Sequence, residues 1–179
     1  MDKKERCDHG QITNLLVSLV RAPSYIGLPR QEEAAVRELK NFLEAHGISS
    51  ETKEIREGRP NLVATLHGSR NGPHLLFCGH TDTVPPNAGS SADPFAALEK
   101  DGRLYGRGTA DMKGALAAMA GALVALKSSG ELVRGKVTFA AVIDEEMESL
   151  GAESLILSGF RADGAIVGEP TSNKIAIGH

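Results

Sequence analysis

The sequence contains few aromatic residues and few cysteines. Its 179 residues include no tryptophan, and aromatic residues make up 4% of the chain, so alanine and small aliphatic side chains must fill the core. The two cysteines are Cys7, close to the N-terminus, and Cys78, inside a predicted core strand. This placement does not suggest a disulfide framework.

The chain also lacks a strong excess of either charge. Its formal net charge is -3, with no large patch of one sign, which argues against nucleic acid or an anionic membrane as the main partner. We find no apolar run long enough to span a bilayer. The charged start of the chain has no apolar signal-peptide segment, which favours a cytoplasmic location.

Hydrophobic periodicity predicts one α/β domain. Helices are predicted over residues 12–20, 30–46, 112–127 and 151–158. Strands are predicted over 61–66, 75–78, 136–143 and 164–167, and residues 48–56 alternate weakly. Turns are predicted at 58–60 and 68–73, and a small hairpin of residues 95–98 and 103–105 around Asp101-Gly102. Because residues 114–126 carry no charge, the third helix is expected to be buried on nearly all sides.

Acidic side chains and one histidine lie at the ends of these elements. All but one of them follow a predicted strand, and the remaining one precedes the third helix. Ligands of open α/β sheets gather at the carboxyl ends of strands, so these stretches should converge on one rim. Without a cation, so many carboxylates would repel each other. One histidine with several Asp and Glu suits zinc, manganese or cobalt. The residues are His80, Asp82, Asp111, Asp144, Glu145, Glu146 and Glu169.

Each candidate has a structural alternative when taken alone. His80 could be a hydrogen-bonded core histidine, and Asp82 a loop residue that caps its own backbone. Asp111 could be a helix N-cap. The acidic stretch 144–148 could be a solvated helix start, and Glu169 an ordinary strand end. The metal hypothesis therefore rests on the conjunction of these residues.

Two further motifs carry little weight. Cys78 and His80 could form half of a zinc clip, but the sequence has no second pair with that spacing. Gly106 and Gly108 lack the third glycine and the preceding apolar strand of a dinucleotide-binding fingerprint.

Four motifs of the chain resemble those of the M20 metallopeptidase family. They are G-H-T-D-T-V-P at 79–85, D-G-R-L-Y-G-R-G-T-A-D-M-K-G at 101–114, I-D-E-E at 143–146 and V-G-E-P-T at 167–171. The resemblance is strongest to the acetylornithine deacetylase and succinyl-diaminopimelate desuccinylase group. The implied fold is a three-layer α/β sandwich, with helices on both faces of a mixed, mostly parallel central sheet.

The resemblance implies a metal-ligand set. His80 and Glu169 would bind one ion, Glu146 would bind a second, and Asp111 would bridge the two. The implied cofactors are two divalent metal ions, zinc first, with cobalt or manganese as alternatives. A cis peptide bond is implied between Asp111 and Met112.

Two more residues receive roles by the same resemblance. Asp82 would fix the tautomer of the histidine ring. Glu145 would be the general base that takes a proton from water and delivers it to the leaving amine. The implied reaction is removal of an acyl group from an N-acyl amino acid. A small peptide is the alternative substrate, and a non-catalytic metal-binding fragment is the alternative of another class.

Family members continue into a lid and dimerisation domain. We therefore expect residues 1–174 to be the N-terminal portion of a catalytic domain, and residues 175–179 to begin the connection to the lid. The last histidine on the second metal would lie beyond the end of the chain rather than be His179. A homodimer is the expectation for the full-length parent.

Overall fold

The computed structural model describes residues 8–87, 89, 92–172 and 174. Its helices are α1 (His9–Arg21), α2 (Glu33–Ala45), α3 (Gly114–Ser129) and α4 (Leu150–Leu157). Its strands are β1 (Ser50–Arg56), β2 (Arg59–His67), β3 (Arg70–His80), β4 (Leu98–Lys100), β5 (Arg103–Tyr105), β6 (Arg134–Val142) and β7 (Gly164–Val167). An irregular helical turn, Thr109–Lys113, leads into α3 and contains the expected cis peptide bond between Asp111 and Met112.

The main sheet has the strand order β1-β2-β6-β3-β7. The two pairings that involve β2 are antiparallel, whereas β3 pairs in parallel with both β6 and β7. Parallel neighbours need a crossover connection, which α3 provides between β3 and β6. The predicted mixed sheet is therefore confirmed, and its parallel half is the part that carries the candidate site.

One face of the sheet packs against α2 and α3, and α1 packs against these two helices. Register places Phe139 of β6 between Ala64 of β2 and Phe77 of β3, and all three contribute to this core. Burial of each large apolar side chain contributes about 1.5–3 kcal/mol. Helix α1 begins at the N-cap Asp8, whose carboxylate accepts a 2.8 Å hydrogen bond from the Gln11 backbone N–H. The predicted apolar stripe of α1 contributes Leu15 and Leu19 to this core.

Helix α4 covers part of the opposite face. Side chains alternate across a strand, so Asn61 points away from the core that Leu62 enters. The amide of Asn61 donates to the Gly151 carbonyl at 2.8 Å and accepts from the Ile143 N–H at 3.0 Å. A Cβ at Gly151 would clash with the Ile143 backbone, so the close approach of α4 requires this glycine. Helices therefore lie on both faces, as predicted.

Helix α3 corrects two expectations. Its uncharged sequence predicted burial on nearly all sides, but Ala118, Ala122 and Ala125 are exposed. The segment Thr109–Ser129 is also long and apolar enough, by length and composition, to cross a membrane, although no such run was expected. Its larger apolar side chains pack into the core described above, so we interpret it as a core helix.

The predicted hairpin is present as β4 and β5. Asp101 and Gly102 both have positive φ, as the two central residues of a tight hairpin turn require. Its first strand begins at Leu98 rather than at Phe95. The thiol of Cys78 is free and half-buried in β3, whereas Cys7 lies outside the described residues.

Candidate metal centre

The carboxyl ends of β3, β6 and β7 and the turn before α3 bring the predicted side chains together. The Nε2 atom of His80 lies 3.1 Å from Asp111 Oδ1, and 3.7 Å from both Glu145 Oε2 and Glu169 Oε1. Two groups of residues could each hold a metal ion, because the potential ligand atoms within each group lie within 4.8 Å of one another. The groups are His80 with Asp111 and Glu146, and His80 with Glu145 and Glu169. All of the predicted metal ligands thus surround one imidazole.

The family resemblance distributes these residues between the two ions differently. It places Glu169 and Asp111 on the same ion as His80, and it keeps Glu145 unbound so that Glu145 can move a proton. In the structure, Glu145 lies as close to the His80 Nε2 as Glu169 does. Glu145 is therefore within reach of an ion as well as of a water molecule beside it.

The ring of His80 is oriented from its other nitrogen. Nδ1 lies 3.0 Å from the backbone carbonyl oxygen of Asp82 and 3.4 Å from its carboxylate. A carbonyl oxygen can only accept, so Nδ1 carries the proton of this hydrogen bond. Nε2 is then the ring nitrogen that can bind a metal ion once it has lost its own proton to leave the neutral ring. The nearest tautomer-fixing group is the backbone of Asp82 rather than its side chain.

The carboxylate of Asp82 has another set of partners. Its two oxygens accept the backbone N–H groups of Glu145 and Glu146 at 3.1 and 3.0 Å. The side chain is fully buried. Burial alone would raise its pKa, but hydrogen bonds from His80 and from the two amides lower it. Asp82 therefore joins the loop after β3 to the turn after β6.

The segment after α1 also holds the loop after β3. The Ser24 hydroxyl donates to the Thr81 carbonyl at 2.6 Å, and the Thr83 N–H donates to the Ser24 carbonyl at 3.1 Å. The Thr81 N–H donates to the Val142 carbonyl at 2.9 Å. Sequence reasoning missed Ser24, because nothing local distinguishes it from an ordinary loop serine.

Lys113 anchors the turn that carries Asp111. Its ammonium group is buried and donates to the carbonyls of Leu19 and Ala22, both at 2.8 Å, at the end of α1. Burial lowers the pKa of Lys113 to about 7. The sequence contained a signal for this residue, since Lys113 belongs to the D-M-K-G part of a motif used for the family resemblance.

The electrostatics of the cluster favour a cation. Burial raises the pKa of Glu146, and the charge of Asp111 raises it further. Burial and the charges of Asp111 and Glu145 raise the pKa of Glu169, while His80 opposes the shift. A bound cation would reverse these shifts by stabilising the ionised carboxylates. One imidazole nitrogen with several carboxylate oxygens is a donor set that suits a divalent metal ion.

Comparison with known proteins identifies the family. A family model described as peptidase family M20/M25/M40 matches residues 76–179, which is more than half of the chain. The matched segment contains every residue of the cluster. The chain belongs to this family.

Curated relatives of this M20 chain include two kinds of deacylase. The chain is 42% identical over 147 residues to a probable succinyl-diaminopimelate desuccinylase of Staphylococcus epidermidis, covering 79% of the chain and 35% of the relative. It is 43% identical over 147 residues to an acetylornithine deacetylase of Proteus mirabilis, covering 80% of the chain and 37% of the relative. The chain thus spans little more than a third of the length of these relatives.

Solved structures of M20 proteins share the fold. An M20 metallo-carboxypeptidase of Sulfolobus solfataricus superimposes with a TM-score of 0.72 at 24% identity, over 94% of this chain and 37% of the other. A tripeptidase of Staphylococcus aureus superimposes with a TM-score of 0.68 at 25% identity, over 91% of this chain and 44% of the other. The expected lid connection, including His179, lies outside the described residues.

Proposed function

We propose that this M20 chain supplies the metal-binding and proton-transferring residues of an amidohydrolase that cleaves N-acyl amino acids. The supporting observation is the convergence of Asp111, Glu145, Glu146 and Glu169 on the Nε2 atom of His80. The relatives named as desuccinylase and deacetylase share 42% and 43% identity with the chain, which supports a deacylase over other hydrolases.

The ligand set fits two divalent ions, with zinc first and cobalt or manganese as alternatives. His80, Asp111, Glu146 and Glu169 would hold them. Ions bound there would lower the pKa of a water molecule and polarise the scissile carbonyl. The Asp111 side chain is 50% exposed and that of Glu169 is 36% exposed, so the cluster is open to a substrate.

Glu145 moves the proton in this proposal. Its carboxylate takes a proton from the attacking water as the oxygen bonds to the carbonyl carbon. It then delivers that proton to the nitrogen as the C–N bond breaks, which leaves a carboxylic acid and an amine. Asp82 keeps Glu145 in place through the backbone N–H of that residue.

The remaining assignments concern the whole protein. We propose that residues 1–174 are the N-terminal portion of the catalytic domain and that residues 175–179 start the lid connection. A longer chain would then supply the last ligand of the second ion and the contacts that select the acyl group. A cytoplasmic homodimer without nucleic-acid or membrane partners belongs to the same proposal.

Turnover by the zinc-loaded, native-length protein tests the function. We expect hydrolysis of N-acetyl or N-succinyl amino acids, and a loss of about 10²–10⁴-fold in kcat for Glu145→Gln with zinc still bound. Glu153→Gln, an exposed glutamate on α4, is the matched control and should leave kcat unchanged. Undiminished turnover in the Glu145 variant would contradict the assigned role.

A peptidase is the second candidate, supported by the structural likeness to a tripeptidase. Assaying di- and tripeptides beside N-acyl amino acids separates the two functions, since the better substrate class has the higher kcat/KM. Zinc binding without turnover of either class would favour the third candidate, a non-catalytic metal-binding protein.

A further inference from the structure

A buried ionic triad lies behind the turn that carries Glu145 and Glu146. Arg59, at the start of β2, makes a two-pronged contact with Glu32, with Nε–Oε2 and Nη2–Oε1 distances of 2.8 and 2.6 Å. The same Nη2 donates to Asp144 Oδ1 at 2.7 Å. The Glu32 side chain is fully buried, and those of Arg59 and Asp144 are 14% and 5% exposed.

Asp144 determines how the chain leaves β6. Its φ is +68°, in the left-handed region that residues other than glycine adopt infrequently. Its carbonyl accepts the Ser149 N–H at 2.6 Å and closes the turn. The two residues after it are the glutamates of the cluster, so the orientation of Asp144 sets the direction in which both side chains leave the backbone.

The turn is therefore held from two sides. On the cluster side, the Asp82 carboxylate binds the N–H groups of Glu145 and Glu146. On the opposite side, the Arg59 guanidinium holds the Asp144 side chain. The hydrogen bonds of Arg59 go to Glu32 and Asp144 and to no residue of the cluster, so Arg59 acts on Glu145 and Glu146 through Asp144.

Stability alone does not explain the triad. Two carboxylates and one guanidinium leave a net negative charge in the interior, and burial raises the pKa of Glu32. Buried ion pairs often contribute less than well-packed apolar residues would, because the desolvation penalty offsets the attraction. A planar, two-pronged guanidinium does, however, fix the geometry of its partners closely. This property fits a positioning role.

We infer that Arg59 is a positioning residue for the M20 reaction, holding Asp144 so that Glu145 and Glu146 point at the cluster. The effect of Arg59 on kcat rests on the proposed function, and its effect on zinc affinity rests on the role of Glu146 as a zinc ligand.

The test compares Arg59→Lys with Arg56→Lys in the native-length protein. Lysine keeps the positive charge at position 59 but cannot bridge two carboxylates with one planar group. Arg56 contacts Glu148 at 2.8 Å on the exposed side of the same turn, so its variant is a matched control. The measurements are kcat and KM for an N-acyl amino acid, zinc affinity by competition with a chromophoric chelator, and thermal unfolding.

We expect Arg59→Lys to remain folded while kcat and zinc affinity each fall by about 10–100-fold, the usual effect of disturbing residues that orient ligands. KM should change little, because Arg59 does not contact substrate. Arg56→Lys should match the wild type. A folded Arg59→Lys protein with wild-type kcat and zinc affinity would overturn the inference.

A second pair of variants covers the case in which Arg59→Lys does not fold. Asp144→Asn retains an accepting oxygen and tolerates the left-handed backbone, whereas Asp144→Ala retains neither advantage. Asparagine should preserve zinc affinity and alanine should lower it, and equal affinities would overturn the inference. If the wild type hydrolyses no acyl amino acid but zinc affinity still depends on Arg59, the proposed function fails and the positioning role stands.

Discussion

The Nε2 atom of His80 lies 3.1 Å from the Oδ1 atom of Asp111, although 31 residues separate the two in sequence. His80 ends β3, whereas Asp111 lies in the irregular turn before the core helix. Both are held near the end of α1: the loop after His80 by Ser24, in the segment that follows the helix, and the turn around Asp111 by Lys113, which donates to the Leu19 carbonyl of the helix. The end of α1 thus aligns two walls of the cluster.

Metal affinity should rise with pH because of His80. Burial alone would lower its pKa, but the hydrogen bond with Asp82 and the charges of Asp82, Glu169 and Glu145 raise it from 6.5 to about 9. Below that pKa, an incoming ion must displace a proton. We expect zinc affinity to increase by up to about tenfold per pH unit in this range, measured by calorimetry in buffers of different ionisation enthalpy. A zinc affinity that does not depend on pH would contradict this assignment.

The stability of the metal-free protein should change with pH in the opposite direction and decrease as the pH rises. A group whose folded-state pKa is raised contributes stability that is fully present below its unfolded-state pKa, here 6.5, and is lost as the pH rises through about 9. The contribution of His80 to the free energy of unfolding therefore declines over that interval. Urea unfolding of chelator-treated wild type and His80→Gln measures it, and parallel pH curves for the two proteins would disprove the linkage.

Asp82→Asn should weaken both the turn and the site. An asparagine side chain offers one accepting oxygen, so one of the two partly buried N–H groups now bound by Asp82 would lose its partner, at about 1–3 kcal/mol. Zinc affinity should fall by about 10–100-fold. Asp93→Asn is the control, since the exposed Asp93 also accepts a backbone N–H, from Phe95. Similar urea midpoints for the two variants would refute the prediction.

Two lysines that contact helix ends allow a matched comparison. Lys113 donates to the carbonyls at the end of α1 from a buried position, whereas the exposed Lys127 donates to His46 and Gly47 after α2. Lys113→Met leaves two buried carbonyls without that donor, and we expect a loss of about 2–4 kcal/mol in unfolding free energy. Lys127→Met should stay within about 0.5 kcal/mol of the wild type. Equal losses in urea unfolding would contradict this burial argument.

Glu169→Gln should lower zinc affinity, because the neutral amide removes one of the charges that surround His80. The expected loss exceeds about tenfold, measured by chelator competition. Glu99→Gln, on an exposed strand of the hairpin, is the control. If both variants bind zinc as the wild type does, Glu169 is not a ligand.

Local patterns predicted most of the secondary structure because they depend on neighbouring residues. The stripe over 12–20 became α1, and 164–167 became β7 without change. Turn signals were less reliable. Residues 68–73 predicted a turn, but β3 begins at Arg70 and absorbs Gly72 and Pro73 at a shift in register. Arg59 and Pro60 were assigned to a turn and instead begin β2.

Chemical identity and position along the chain selected the residues of the cluster, because ligands at strand ends share one edge of a parallel sheet. The same pattern also selected Asp144, whose side chain instead binds Arg59. The tertiary structure decided how they meet. It places the Nδ1 atom of His80 in a hydrogen bond with a backbone carbonyl. It also brings Arg59 into contact with partners 27 and 85 residues away. It also left one side of α3 exposed. These features depend on which distant segments pack together, and no local pattern of side chains records that choice.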